Sequence, residues 1–371
     1  MGHFGTGCGL PFTARKYRGK QLYTAVVKKH NSRPNPTGPE QAGERDLLRK
    51  IERAAWPKPG RGSGYGVRSG IGDDAALWRP RAGFETILTT DWFLEGTHFS
   101  RKFHPADAVG WKCLARAVSD VAAMGGEPRC FLLNLALPGS CTGKWIEEFL
   151  GGLRRASRRL GCPLVGGDTT RRNEILINLC VVGEVKEGRA VKRLRARAGD
   201  RIFVSGRLGE AELGLRLLEK KKQAGGKRAS RLFRKHLYPE PRTGLGRWLG
   251  GNRIATAMMD LSDGLSSDLA RFCEASGVGA RIYLSKLPLA SEIFSREFNA
   301  AEQMNAALHG GDDYELLFSV PSGRAAGISR KFSGIRLTEI GDITTEAGIR
   351  LIKSSGEAVP LSAGGWDPFR K

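Results

Sequence analysis

The feature that most limits how this 371-residue chain can fold is a series of carboxylates set among small and hydroxyl residues. The series begins with Asp73 and Asp74, inside the glycine- and alanine-rich residues 70–76. Small residues let a backbone or a ligand approach closely, and paired carboxylates supply hard oxygen ligands for Mg²⁺. Similar groups recur at Thr89-Thr90-Asp91, Ser119-Asp120, Gly166-Gly167-Asp168-Thr169-Thr170, Asp260-Leu261-Ser262-Asp263-Gly264 and Gly310-Gly311-Asp312-Asp313-Tyr314-Glu315. We therefore expect a fold that gathers these segments into one metal and phosphate site.

The composition favours a globular α/β protein. Hydrophobic residues make up 40% of the chain and there are 50 glycines, which argues against disorder and against a coiled coil. The length is sufficient for a sizeable core and predicts about two domains. No apolar run reaches the roughly 18 residues that a membrane-spanning helix needs, so we expect a soluble protein.

The net charge of +22 raises the alternative of a polyanion-binding protein. Residues 1–39 contain basic but no acidic side chains, yet most of the excess is spread over the rest of the chain. The sequence has no zinc-finger spacing, no aromatic-rich RNA-binding strand and no basic-zipper heptads. We therefore do not expect nucleic-acid binding to be the main function.

The seven cysteines are widely spaced and include no C-x-x-C pair. That spacing fits neither a zinc cluster nor a disulfide framework. We expect them to be free and mostly buried, in a protein of the reducing cytoplasm.

Hydrophobic periodicity predicts a mixture of helices and strands. Helices are expected over residues 44–56, 105–124, 145–160 and 263–276, and strands over residues 85–90, 131–137, 164–165, 175–185 and 201–205. Residues 215–235 should be helical at both ends, with an exposed basic loop between them. A second β-rich stretch from Arg201 predicts a domain boundary near residue 195. The expected division is a basic, disordered extension over residues 1–43, an N-terminal domain over 44–194 and a C-terminal domain over 195–371.

Three of the polar positions can be interpreted locally. Asp91 follows a strand-like run, and ligands of α/β folds commonly lie at strand ends. Asp120 lies beside the apolar stripe of a helix, so a cap, a partner or a metal must compensate for its burial. Ser262 either caps the helix that follows it or contacts a phosphate, and both roles are compatible. Neither a Walker A nor a G-x-G-x-x-G motif is present, so a nucleotide would need another binding device.

Taken in order, these motifs make the chain resemble the thiamine-monophosphate kinase family, within the aminoimidazole-ribonucleotide-synthetase-like ATP-binding superfamily. The resemblance covers about residues 44–369, and the order and spacing of six motifs carry it. They are residues 70–76, 89–91 with 95–99, 119–126, 166–171, 260–264 and 310–316. The resemblance implies an α/β fold of two domains, an N-terminal α/β sheet domain through which the chain forms a homodimer and a C-terminal α/β domain. It also implies phosphorylation of thiamine monophosphate to thiamine diphosphate, with ATP as co-substrate and several Mg²⁺ ions.

The resemblance further implies three sets of contacts. Magnesium ions would be held at Asp74, Thr89, Thr90, Asp91, Asp120, Asp168, Asp260 and Asp263. The nucleotide would contact Gly167, Asp168, Arg193 and Ser262, and thiamine phosphate would contact His98, Asp312 and Trp366. For Asp313 we prefer a simpler role as an acceptor for backbone donors in a turn. Asp73 either supports a neighbouring ligand or binds a metal through water.

Elementary electrostatics is consistent with that assignment. Carboxylates about 5 Å apart repel each other by roughly 3 kcal/mol at an effective dielectric constant of about 20, so cations must bind among them. A phosphate monoester is already nucleophilic at neutral pH. We therefore assign no general base and expect direct in-line transfer assisted by metal and by positioning.

Two kinds of alternative stay open. One is another enzyme of the superfamily, such as aminoimidazole ribonucleotide synthetase, selenophosphate synthetase or a hydrogenase-maturation protein. Residues 60–72 contain no cysteine, which argues against selenophosphate synthetase. The other, from a different functional class, is a polyanion-binding protein that has kept the fold.

Overall fold

The computed structural model describes residues 43–55, 65–220, 233–367 and 369. Nearly all of the predicted N-terminal extension lies outside these ranges, and so does the predicted basic loop around residues 221–232. All of the described residues belong to one compact unit. Within the described ranges, no helix has both the length and the apolar character needed to cross a membrane.

The first half of the described chain is built on a four-stranded sheet. Its strands are β3 (Phe84–Leu94), β4 (Glu127–Leu137), β5 (Leu164–Arg171) and β6 (Leu176–Lys186), in the order β3-β6-β4-β5. β6 is antiparallel to both of its neighbours, whereas β4 and β5 are parallel. A separate two-stranded sheet joins β1 (Val67–Ser69) to β2 (Leu77–Trp78).

Helices cover one face of the four-stranded sheet. They are α1 (Glu44–Ala54), α2 (Ala106–Ala123) and α3 (Lys144–Leu160). Strand alternation turns Ile177, Leu179 and Val181 toward these helices, where they are buried. α2 is buried on most sides, so it is the central helix of this core rather than a surface helix.

The opposite face of this sheet exposes large apolar side chains in β3. Leu88 and Trp92 in β3 keep 71% and 55% of their surface exposed. Two large apolar side chains exposed on the same face of one strand are unusual for a monomer surface and are typical of an interaction surface.

The second half contains an eight-stranded sheet. Its strands are β7 (Arg201–Ser205), β8 (Ala257–Leu261), β9 (Gly279–Tyr283), β10 (Glu315–Val320), β11 (Lys331–Phe332), β12 (Ile335–Thr344), β13 (Gly348–Ile352) and β14 (Ala358–Pro360). The order is β14-β13-β9-β12-β7-β10-β8, with β11 paired to β12, and only the β13–β9 pair is parallel. The helices are α4 (Glu210–Glu219), α5 (Thr243–Gly251), α6 (Leu265–Ser276), α7 (Ala300–His309) and α8 (Ser322–Ala325).

The two halves share a hydrophobic core. Ala123 at the end of α2 and Val191 pack in one cluster with Leu245 and Leu249 of α5. A Cβ atom on Gly246 would lie 2.0 Å from the carbonyl oxygen of Ala122, so only glycine lets α5 approach α2 this closely. This junction also brings α2 into contact with β8 of the second half.

The structure agrees with the predicted α/β class and corrects several predicted boundaries. Asp91 does not end a strand, because β6 pairs with all of β3 as far as Leu94. The short strand predicted over residues 164–165 continues to Arg171, because β4 pairs with it throughout. The predicted helix over residues 44–56 ends at Ala54, and Trp56 lies outside the described residues. The division near residue 195 stays a prediction.

Candidate functional site

A cavity of about 360 Å³ lies between the two halves of the described chain. β3 and α2 line it from the first half, and α4, the residues before α6 and the loop before β10 line it from the second. It gathers eight of the residues predicted from the sequence: Asp91, His98, Asp120, Asp260, Ser262, Asp263, Asp312 and Trp366.

Asp120 and Asp260 form the acidic floor of this cavity. Thr89 donates a hydrogen bond from Oγ1 to Asp120 Oδ2, at 2.5 Å. Burial raises the pKa of Asp260 to about 8, with the charge of Asp120 as the next cause, and burial likewise raises the pKa of Asp120. Neither carboxylate forms an ion pair with a described lysine, arginine or histidine. Their charge is therefore left for a ligand to compensate.

Two further acidic residues of the cavity, Asp91 and Asp263, already have cationic partners. Both carboxylate oxygens of Asp91 accept hydrogen bonds from Arg116, each at 3.2 Å. Asp263 forms an ion pair with Arg271. These two carboxylates could join a metal only by sharing or giving up those partners.

The donors at the cavity floor suit magnesium by their chemistry. Thr89, Asp120 and Asp260 offer only hard oxygen atoms. The hydroxyl of buried Ser119 lies near enough to lower the pKa of Asp260, yet it makes no hydrogen bond of good geometry. Among the described residues, no three His, Cys, Asp or Glu side chains already converge as a formed metal site. Binding of an ion would therefore draw these oxygens together.

His98 and Trp366 lie at the rim. Nδ1 of His98 accepts a hydrogen bond from the backbone N–H of Leu94 at 3.0 Å, which leaves the proton on Nε2. Burial lowers the pKa of His98 to about 4, so its ring is neutral near pH 7. The backbone N–H of Trp366 donates to the carbonyl oxygen of Asp263 at 2.9 Å, and its ring keeps 48% exposure.

Ser262 does not cap the following helix, so this part of the sequence interpretation is wrong. The N-cap of α6 is Gly264, and Asp268 Oδ2 accepts hydrogen bonds from the backbone N–H groups of residues 262–264, at 3.0 to 3.1 Å. The carboxylate of Asp268 thus occupies the position that a free helix N-terminus would offer to an anion. The predicted helix start at residue 263 moves to Leu265 for the same reason.

Asp313 has the structural role predicted for it. Its carboxylate accepts hydrogen bonds from the backbone N–H groups of Gly209 and Ala211 at the start of α4, at 2.6 and 3.3 Å. Burial raises the pKa of Asp313 to about 7.

Six predicted contacts do not line the cavity, and one of them, Thr89, reaches its floor only through the hydrogen bond to Asp120. Asp74 is exposed in the loop after β1, where its N–H donates to Asp73 Oδ1 at 2.9 Å. Thr90 bonds to Asn178, on the opposite face of β3 from Thr89. Arg193 is exposed, but its charge lowers the pKa of Asp120.

The last two, Gly167 and Asp168, lie in the edge strand β5. A Cβ atom at Gly167, whose φ is 150°, would lie 1.8 Å from the carbonyl oxygen of Leu133, so this position requires glycine. Asp168 is exposed and accepts the N–H of Thr169 at 2.9 Å. The roles of these six residues stay predictions.

The sequence interpretation missed several polar residues around the cavity. Arg116, Glu212, His236 and Tyr314 line it, and Lys112 lies behind it. One signal was available, because Lys112 and Arg116 precede Asp120 at intervals of four residues on one helix. His236 and Glu212 carried no such signal, since they belong to no motif near an acidic residue of the site.

Comparison with known proteins agrees with this geometry. Residues 72–185 match the family "AIR synthase related protein, N-terminal domain", and residues 197–354 match "AIR synthase related protein, C-terminal domain". Thiamine-monophosphate kinase of Escherichia coli (strain K12) is 38% identical over 313 residues, which are 83% of this chain and 94% of that protein. The chain belongs to the thiamine-monophosphate kinase family.

Solved structures of the family share the fold. The crystal structure of thiamine-monophosphate kinase from Stenotrophomonas maltophilia K279a has a TM-score of 0.74 and 34% identity, and the match covers 85% of this chain and 98% of that one. The structure of AaThiL complexed with AMPPCP and TMP has a TM-score of 0.69 and 34% identity, over 78% of this chain and 89% of that one. The resemblance read from the six motifs is thereby confirmed.

Proposed function

We propose that this chain transfers the γ-phosphate of ATP to the phosphate of thiamine monophosphate, giving thiamine diphosphate and ADP. The cavity between the two halves carries the proposal, because it gathers four of the aspartates predicted to bind magnesium with His98, Asp312 and Trp366. A phosphoryl transfer needs cation-binding oxygens at one end of a site and an acceptor pocket at the other.

The acceptor would bind at the rim. Trp366 offers an exposed aromatic face on which the cationic thiazolium ring can stack. The carboxylate of Asp312 opposes the positive charge of that ring, and neutral His98 can donate a hydrogen bond from Nε2 to the phosphate. No described side chain needs to remove a proton, because the acceptor phosphate is already ionised at neutral pH.

The acidic floor would hold magnesium. In this proposal Asp91, Asp120, Asp260 and Asp263 bind the ions from inside the cavity, with Thr89 beside Asp120. Asp74, Thr90 and Asp168 lie outside the cavity and contribute less. Bound magnesium supplies charge neutralisation between the reacting phosphates. The carboxylates would fix the positions of these ions, and the proposed direct in-line transfer forms no phosphorylated protein.

ATP would lie between the floor and β5. Gly167, Asp168, Arg193 and Ser262 form the proposed nucleotide contacts, of which Ser262 lines the cavity. Gly167 is exposed in β5, the edge strand of the four-stranded sheet, so its backbone is accessible to a ligand.

The chain would act as a cytoplasmic homodimer. The open apolar face around Leu88 and Trp92 supports association through the four-stranded sheets. The six cysteines in the described ranges are free, as a reducing compartment requires. Sedimentation of the wild type beside Trp92→Glu tests the dimer, which that charge should dissociate.

Product analysis tests the activity directly. The purified protein is incubated with ATP, Mg²⁺ and thiamine phosphate, beside an Asp91→Asn variant and a reaction with unphosphorylated thiamine. We expect equal amounts of thiamine diphosphate and ADP from the wild type, and neither from the variant or from free thiamine. Absence of thiamine diphosphate from folded, ATP-binding protein would reject the assignment. Salt-dependent RNA binding without ATP turnover would favour the polyanion-binding alternative.

A further inference from the structure

We propose that Lys112 is a positioning residue for the acceptor end of the site, where its ammonium group fixes the orientation of the Asp312 carboxylate. The inference rests on the proposed function and concerns a residue outside every contact set predicted from the sequence. Lys112 does not line the cavity, so it acts through Asp312 and does not touch the substrate.

Lys112 is a buried cation with a single anionic partner among the described residues. It keeps only 1% of its surface exposed, so its charge must be compensated inside the protein. Its Nζ lies 2.7 Å from Asp312 Oδ2 and 3.3 Å from each ring nitrogen of His236. Burial lowers the pKa of His236 well below its ordinary value, so that ring is neutral and Asp312 alone supplies negative charge.

The Asp312 carboxylate is held from two sides. Tyr314 donates a hydrogen bond from its hydroxyl group to Oδ1 at 2.6 Å, opposite the contact of Lys112 with Oδ2. The side chain still keeps 26% exposure, and it lines the cavity. One face of the carboxylate is thus fixed by protein groups while the other is open to a ligand.

The backbone of this loop is strained and firmly held. Asp312 and Tyr314 have φ angles of 66° and 49°, a region that costs energy for residues other than glycine. Their N–H groups donate to the carbonyl oxygens of Ser262 and Leu261, both at 2.8 Å. Such strain persists only where the surroundings over-determine the conformation, and it is typical of ligand-binding positions.

The Lys112–Asp312 pair also joins the two halves of the chain. Lys112 belongs to α2, and Asp312 precedes β10, 200 residues later. Without the ammonium group, the carboxylate would lose its fixed orientation and would take up a proton more readily, because Lys112 helps to hold the pKa of Asp312 below its usual range. Both changes weaken attraction to a cationic ring and leave the nucleotide end of the cavity unchanged.

The first experiment is a kinetic comparison of Lys112→Met with the wild type. We expect KM for thiamine phosphate to rise about 30-fold, the effect typical of removing one partner of a buried charge pair. KM for ATP and kcat should stay within about 3-fold. Lys235→Met is the matched control, because Lys235 pairs with buried Glu315 outside the cavity. It should lower the thermal unfolding temperature without an acceptor-specific change in KM.

A double-mutant cycle tests whether Lys112 acts through Asp312. In an Asp312→Asn background, adding Lys112→Met should raise KM for thiamine phosphate by less than about 3-fold, because the carboxylate that it orients is gone. The double variant also removes the uncompensated charge of each single variant, so it provides a folded sample if Lys112→Met alone does not fold. A further rise of 10-fold or more in the double variant would overturn the inference.

The wild-type reaction separates this inference from the proposed function. If the wild type makes no thiamine diphosphate, both the function and this role are rejected. If the wild type is active and Lys112→Met changes only the unfolding temperature, the function stands and the positioning role is rejected.

Discussion

Two regions of this protein bury carboxylates in opposite surroundings. Glu315 accepts hydrogen bonds from Ser205 and Arg242 at 2.5 to 2.7 Å and pairs with Lys235. Although burial opposes this, Lys235 and Arg242 lower its pKa to about 2. At the cavity floor, burial and the charge of Asp120 raise the pKa of Asp260 to about 8.

The difference indicates that the charge of Glu315 is structural, whereas that of Asp260 is functional. The chain supplies every partner that Glu315 needs, so that this cluster is complete in the folded protein alone. The floor of the cavity is incomplete, because its two carboxylates repel each other and neither forms an ion pair with a cation of the described residues. A protein retains a destabilising repulsion of this kind where a bound ligand compensates for it.

The variant Asp260→Asn is the strongest test of whether the carboxylates of the cavity floor serve function rather than stability. We expect kcat to fall at least about 1,000-fold, because an amide cannot supply the anionic oxygen that binds magnesium. In EDTA the thermal unfolding temperature should stay the same or rise, because the substitution removes the repulsion with Asp120. Assays of activity and calorimetry on the same sample measure both effects.

Asp342→Asn is the matched control for that variant. Asp342 is also buried, but it accepts hydrogen bonds from Arg281 and Tyr283 at 2.7 to 3.0 Å, outside the cavity. It should lose stability and keep its activity. A clear loss of stability in Asp260→Asn would show that the two regions do not differ as argued.

Glu315→Gln should have the next largest effect, on stability. Two buried cations would lose their anion, so the free energy of unfolding should fall by about 3 kcal/mol. Urea denaturation measures it, and kcat should stay within about 3-fold. An unchanged denaturation midpoint would mean that Arg242 and Lys235 find other partners.

The two regions also predict opposite dependences on pH. The pKa of Glu315 in the folded state lies below its ordinary value of 4.5, so its stabilisation is present above pH 4.5 and is lost as pH falls toward about 2. The pKa of Asp260 is raised from 3.8 to about 8, so in EDTA stability should decline as pH rises through that range. Thermal unfolding against pH should show the acid loss diminished in Glu315→Gln and the upper decline diminished in Asp260→Asn.

The smallest effect compares two neighbouring threonines. Thr89→Val removes the hydrogen bond to Asp120 and should lower kcat about 10-fold. Thr90→Val removes a bond to Asn178 on the other face of β3 and should lower kcat less than about 3-fold. Equal losses would indicate that both faces of the strand contribute to the reaction.

Much of the fold was predictable because local patterns decide it. The period of apolar residues marked α2 and α3, and strand-like runs marked β4, β6 and β7, close to their observed bounds. Strand ends were less predictable, since β3 and β5 extend as far as their neighbours pair with them. That pairing is a tertiary property, and for this reason Asp91, Gly167 and Asp168 lie inside strands.

The sequence identified the main acidic and ligand-contact residues of the candidate site but missed several residues around them. Motifs in a fixed order identified the acidic residues together with His98, the family resemblance added Trp366, and eight of the predicted residues share one cavity. Lys112 was missed because it belongs to none of the motifs, and its burial beside Asp312 is seen only in the structure. For Ser262 the sequence left a cap and a phosphate contact open, and the structure excludes the cap because Asp268, six residues later, accepts the N–H groups.

The sequence by itself determined the family, the element types and the acidic residues, because periodicity and motif order are local properties of the chain. Only the tertiary structure decided which face of β3 each threonine occupies, which carboxylates have cations, and that Lys112 meets Asp312. Those outcomes depend on strand register and on the packing of the two halves, which join residues far apart in sequence.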